Sequence, residues 1–150
     1  MKFKIELDSD LTENEFIIRC ASMDPAILKI QQAVADIVMS TPKIPFYKGE
    51  TEYYLPLEDI LFFETSQLGI ETHTADDMFQ VKYRLYELEE ILPNHFLRVS
   101  KSTILNADKI FSINRSLTSS NLVQFYKSHK QVYVSRYYYK HLRKRLDERR

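Results

Sequence analysis

Glycine is almost absent from this chain. Two residues in 150 cannot build a glycine-rich phosphate loop, so nucleotide chemistry of that kind is excluded. One cysteine, Cys20, excludes an internal disulfide and suits a reducing compartment. No run approaches the roughly 18–20 consecutive apolar residues of a membrane span. The opening "MKFKIELDSD" has no apolar signal-peptide core, so secretion is not expected and a cytoplasmic protein is. No internal repeat is visible. With 44% hydrophobic and 28% charged residues, the chain has the composition of an ordinary globular domain rather than a disordered one.

Net charge is zero, but the zero conceals a strong polarity. Residues 1–50 carry 6 Lys+Arg against 8 Asp+Glu, residues 51–94 carry 2 against 10, and residues 95–150 carry 13 against 3. The last third is therefore at +10, which points to a polyanionic partner for the basic end. Mutual neutralisation of the two blocks across the fold is the plainer alternative, but it does not explain why the cations sit among hydroxyls.

Strand-like alternation marks residues 2–7 and 15–20. Asp24 as N-cap and Pro25 at the first helical position then open a helix, with Ile27, Ile30, Val34, Ile37 and Val38 on one stripe. "STPKIP" ends it as a linker, because Pro42 and Pro45 bar continuation. From Ile44 the pattern turns to β. A hairpin turns at Lys48-Gly49-Glu50, "DILFFET" reads as a buried strand, and a second hairpin turns near Ala75–Asp77. "RLYELEEIL" is a short helix with Leu85, Leu88, Ile91 and Leu92 on one face, stopped by Pro93. Short strands follow in "KIFSINRS", "NLVQFYKS" and "QVYVS". The chain ends in a helix from Arg136 to about Asp147, capped by Ser135, with Arg143, Lys144 and Arg145 in turns where cations suit the helix dipole.

No catalytic, cofactor or metal constellation stands out, so neither an enzyme nor a small-molecule substrate is expected. Cys20 lies in an expected strand and reads as a small core residue. His73 with Asp76 and Asp77 lacks metal-ligand spacing and reads as a solvated turn. The basic segments carry more information. "HFLRVSKSTILNADKI", residues 95–110, begins and ends like a strand, yet Arg98, Ser100, Lys101, Ser102 and Thr103 interrupt it. An unpaired cation is too costly to bury, so either the stretch is a solvated turn or negative charge comes from outside. "SRYYYKHLRKR" likewise surrounds cations with a hydroxyl and three tyrosines. Arg, Lys, Ser, Tyr and helix N-termini are the groups that contact nucleic-acid phosphates.

The order of these elements resembles the LytTR DNA-binding domain of bacterial transcription regulators. The resemblance rests on Ile60 to Glu64, Leu85 to Leu92, Phe96 to Asn106 and Val134 to Arg136, and covers about residues 44–147. One position departs: where the family usually has His before the basic residue, this chain has Ser100. The resemblance implies an α+β, mostly β, domain of short antiparallel strands with a short middle helix and a C-terminal helix, here preceded by a small strand–strand–helix element. The domains would be 1–43, an accessory or dimerisation element, and 44–150, the DNA-binding domain. It also implies loops that read successive major grooves of double-stranded DNA. The contacts would come from Ser66, Gln67 and Gly69 in one loop, from Arg98, Ser100, Lys101 and Ser102, and from Arg136, Tyr137 and Lys140 in the last helix. Guanine is the commonest major-groove partner of a cation such as Lys101.

Many family members follow a receiver domain, for which the preceding 43 residues are too few. The resemblance is thus to stand-alone regulators, without phosphorylation control in the chain and expected as homodimers. Some of these are encoded beside a small membrane protein that restrains them, which makes such a protein a candidate partner. The Ile27–Val38 stripe must pack on a second subunit or back on residues 44–150. The alternative function is a non-enzymatic interaction or ligand-sensing domain whose basic third docks an acidic protein.

Overall fold

A computed structural model describes residues 1–39, 43–116 and 120–148. The chain divides into two compact units, Met1–Ser40 and Thr41–Arg150.

The first unit contains helix α1, Pro25–Met39. Asp24 caps it: the Ile27 backbone N–H donates to Asp24 Oδ1 at 3.0 Å. Ile27 is buried, Ile30 and Val34 are half-buried, and Ile37 is 74% exposed; the side chain of Val38 lies outside the described residues. The strands expected over 2–7 and 15–20 are not formed. Met1, Phe3, Ile5 and Leu7 stand 75–96% exposed, and Phe16 and Ile17 also face water. Alternation gives a segment one apolar face, but a strand also needs a partner for its backbone ladder. Cys20, expected in the core of the second strand, is exposed for the same reason. The expected linker over 40–45 lies partly outside the described residues.

The second unit is built on a seven-stranded antiparallel sheet of order β2-β1-β5-β4-β3-β7-β6. Its strands are β1 (Phe46–Lys48), β2 (Thr51–Tyr53), β3 (Ile60–Ser66), β4 (Gly69–Thr74), β5 (Met78–Val81), β6 (Phe96–Ser100) and β7 (Thr103–Asn106). The expected hairpin at Lys48-Gly49-Glu50 is present. Lys48 pairs with Thr51, and Gly49 takes the φ of +57° that such a two-residue turn requires. Helix α2, Leu85–Ile91, follows β5. A second sheet of order β10-β9-β8 comprises β8 (Ile110–Asn114), β9 (Asn121–Phe125) and β10 (Gln131–Val134), and helix α3 spans Arg136–Glu148.

The large sheet is covered on both faces, which is why "ILFF" in β3 is a continuous apolar run. On one face Ile60, Phe63, Phe79, Phe96 and Ile104 pack with Leu85, Leu88 and Leu92 of the α2 region. On the other, Leu61, Phe62, Leu97, Val99 and Leu105 meet Val123, Phe125, Val132 and Val134 of the small sheet and Leu142 of α3. Leu61 and Phe62 are sequence neighbours yet share a face, because a bulge between Ile60 and Phe62 breaks the alternation. Asn106, fully buried, ties the layers: its Nδ2 donates to Ile60 O at 3.0 Å and its Oδ1 accepts from Asp108 N–H at 3.0 Å.

Among the described residues no helix is long and apolar enough to cross a membrane. Nor, among them, does any group of three or more His, Cys, Asp or Glu come together that could hold a metal. His73 is not a solvated turn residue; it sits in β4, stacked on Phe62 at 4.3 Å with its side chain 14% exposed.

Candidate nucleic-acid interface

Three separate stretches of sequence meet at one end of the large sheet. The β3–β4 turn is a tight hairpin in which Ser66 pairs with Gly69 and leaves Gln67 and Leu68 at the tip. Ser66 Oγ shapes it by accepting the Leu68 N–H at 3.2 Å and donating to Gly69 O at 3.3 Å. Gly69 has φ +120°, a backbone region close to glycine-only, and a Cβ there would meet nothing within 4 Å. The requirement for glycine is therefore conformational.

Next to it lies the β6–β7 turn, with Lys101 and Ser102 at its tip. β7 pairs with β3, and Thr65 N–H donates to Ser102 O at 2.9 Å, so the two tips are held side by side. Ser100 Oγ accepts the Ser102 N–H at 3.2 Å and lies 3.3 Å from Ser102 Oγ. The third stretch is the start of α3. Ser135 N–H donates to Val99 O at 2.9 Å, which ties the helix N-terminus to the end of β6. Ser135 Oγ accepts the Tyr138 N–H at 3.4 Å, the expected cap. Arg136, Tyr137 and Lys140 are exposed at this start, Tyr137 at 82%. Ser66, Gln67, Gly69, Ser100, Lys101, Ser102, Arg136, Tyr137 and Lys140 thus come together or border one another.

Arg98 is placed differently. Its side chain is 23% exposed and folds under the turn rather than out of it. Nε donates to Ser100 O at 2.7 Å, Nη2 donates to Lys101 O, and Nη1 pairs with Glu89 Oε1 of α2 at 2.6 Å. The guanidinium is engaged inside the protein and curls the backbone so that Lys101 projects. The Lys101 ammonium, by contrast, makes no ion pair among the described residues. The interruption of the strand is therefore divided between one cation that builds the turn and one that the turn presents.

Sequence reading left four neighbouring residues out of the contact set. Leu68, 77% exposed, stands on the first tip between the named residues Gln67 and Gly69. Glu89 fixes Arg98, a pairing nine residues apart that no local pattern signals. His141 and Lys144 line a shallow groove with Tyr137 and Lys140, and their spacing on α3 could have suggested it.

Behind the tips, Glu64 faces Glu71 across the strand pair, and burial, then the Glu71 charge, push the Glu64 carboxyl up. At the opposite end of the same unit Asp59, Asp76, Asp77 and Asp108 line a cleft together with Lys109 and Lys127.

Residues 50–147 match the LytTr DNA-binding domain. The chain belongs to the LytTR DNA-binding domain family. Over 147 residues it is 31% identical to an uncharacterized HTH-type transcriptional regulator of Staphylococcus aureus strain COL, covering 97% of this chain and 98% of that protein. A counterpart from a bovine strain of the same species is 31% identical over 148 residues with the same coverage. A solved LytTr DNA-binding domain of a putative methyl-accepting/DNA response regulator from Bacillus cereus shares the fold. It has a TM-score of 0.65 and 23% identity, over 71% of this chain and 98% of that one. The LytTR match spans all three interface stretches, from the β3–β4 turn to α3.

Proposed function

We infer that this LytTR protein is a sequence-specific DNA-binding transcription regulator whose reading surface is the sheet end just described. Lys101 reaches a base edge in a major groove. The β3–β4 tip, with Ser66, Gln67 and Gly69, enters beside it and contributes backbone and amide groups. Arg136, Tyr137 and Lys140 hold phosphates along the start of α3, where the helix dipole adds to the attraction. Ser100 and Ser102 serve as turn-builders and short-range phosphate donors. Arg98 acts as a brace behind them and not as a contact.

The observation that carries this reading is the convergence of three stretches through two backbone hydrogen bonds, Thr65 to Ser102 and Ser135 to Val99. Nothing local to any one stretch demands it, and it makes one exposed surface from serines, an amide, a tyrosine and cations. The protein acts in the cytoplasm, where its DNA is, as a homodimer through residues 1–43. A small membrane protein that restrains it is a further partner of this reading.

The test is a binding titration on duplexes from the region flanking its own gene, against scrambled duplexes, at several salt concentrations. A log–log salt slope of several units and a preference of at least about a thousandfold for one sequence support it. Equal affinity for all duplexes would leave only a nonspecific polyanion binder.

A further inference from the structure

Residues 2–8, Lys-Phe-Lys-Ile-Glu-Leu-Asp, have a property that the single chain does not use. Phe3, Ile5 and Leu7 alternate with charged residues and stand 86%, 75% and 96% exposed. Lys4 pairs with Glu6, two residues on, which places both charges on one side of the segment, at 74% and 72% exposure. A turn ends the segment at Asp8, where Asp8 Oδ1 accepts the Asp10 N–H and Asp8 O accepts the Leu11 N–H. A face this apolar needs a cover, and the charges beside it specify one.

Two copies laid antiparallel about a two-fold axis through Ile5 are complementary at every position. Lys2 meets Asp8, Lys4 meets Glu6, Phe3 meets Leu7 and Ile5 meets itself, and each pair recurs on the other side of the axis. Opposite charges then share one face of the ribbon and apolar side chains the other, the arrangement that stabilises cross-strand pairs. The contact is isologous, so it closes at two subunits rather than propagating. A two-stranded ribbon alone is marginal, and Leu28 of α1, 52% exposed, is apolar surface of the same unit that can back it.

We propose that residues 2–8 form an intermolecular antiparallel strand pair that joins two copies of this chain, in a register set by Lys2–Asp8 and Lys4–Glu6. This deepens the homodimer reading above and rests on it.

The test is a charge exchange in the full chain, read by sedimentation velocity. One variant carries Lys2→Glu and Lys4→Glu, making all four charged positions negative; the other carries Glu6→Lys and Asp8→Lys, making them positive. Each alone should weaken dimerisation at least about tenfold. An equimolar mixture should restore it, because every pair is again opposite in sign. A wild-type chain that sediments as a monomer throughout would sink the homodimer reading itself. Wild-type dimers with variants that dimerise as tightly alone, or that stay apart when mixed, would leave the homodimer standing and overturn the strand pair. Register is read separately in a Cys20→Ser background. Ile5→Cys, on the axis, should oxidise to a linked dimer, and Phe3→Cys, facing Leu7, should not. Equal linkage of both overturns the register.

Discussion

Arg98→Ala separates a brace from a contact. The substitution removes hydrogen bonds to Ser100 O and Lys101 O and the ion pair with Glu89. Hydrogen bonds to a charged group are worth about 1.5–3 kcal/mol each when buried; at 23% exposure solvent screens part of that, leaving a net loss of roughly 1–3 kcal/mol. For a chain of 150 residues, at about 2–4 °C for each kcal/mol, that corresponds to a fall in Tm of roughly 2–12 °C. Thermal denaturation followed by circular dichroism measures it. The same variant should bind all duplexes more weakly, because the turn that aims Lys101 is loosened. The slope of log K against log salt should stay at the wild-type value, since no phosphate contact is lost. Arg98→Lys should resemble the alanine variant, because an ammonium cannot reproduce the guanidinium fork. An unchanged Tm with a salt slope reduced by about one would refute the brace and return Arg98 to the DNA surface.

The remaining predictions concern the frame and the division of labour. Asn106→Leu leaves Ile60 O unpaired in the core and removes the acceptor of the part-buried Asp108 N–H, and should destabilise the protein by about 1–3 kcal/mol in urea unfolding, with unchanged m. Burial, and then the Lys130 charge, lower the pKa of His73, against the opposing pull of Glu71 with its Oε2 3.4 Å from Nε2. A depressed folded-state pKa gives stability that is present above the unfolded value of 6.5 and lost as pH falls through the folded one. Stability should therefore decline below about pH 6.5, and His73→Phe should flatten that decline in melts taken down to about pH 5. A chain lacking residues 1–43 should keep half-site binding in a gel-shift titration while losing the dimer; loss of all DNA binding by this folded fragment would move the interface.

Much of the sheet was legible because its signals are local. Gly49 marks a two-residue turn, Pro93 stops α2, Asp24-Pro25 opens α1, and period-two runs mark the strands. Residues 2–7 and 15–20 show the limit of that signal. Alternation states which face is apolar and says nothing of whether a pairing strand exists, so segments that read as strands stay unpaired in one copy. At the proposed interface, residue types pointed to a polyanion partner and the family resemblance pointed to the segments. The separate parts of Arg98 and Lys101 could not be read from "LRVSKST", because they depend on where two carbonyls curl and on Glu89 arriving from α2. Leu61 and Phe62 sharing a face was hidden likewise, since a bulge is set by the partner strand.

On the proposed function, the Lys101 end of the sheet is the one that reads DNA. Lys127 provides the matched control: it belongs to the same unit, but lines a cleft of mixed charge at the other end. Its φ of +56° is tolerated by asparagine, so Lys127→Asn removes the same charge without backbone strain. Binding titrations of Lys101→Ala and Lys127→Asn should be run on specific and scrambled duplexes at several salt concentrations, with each variant confirmed as folded. Lys101→Ala should lose about 1–3 kcal/mol on the specific duplex and relax preference at one base position, while Lys127→Asn binds as wild type. Wild-type affinity in the Lys101 variant together with a loss in the Lys127 variant would contradict the account and place the DNA at the opposite end.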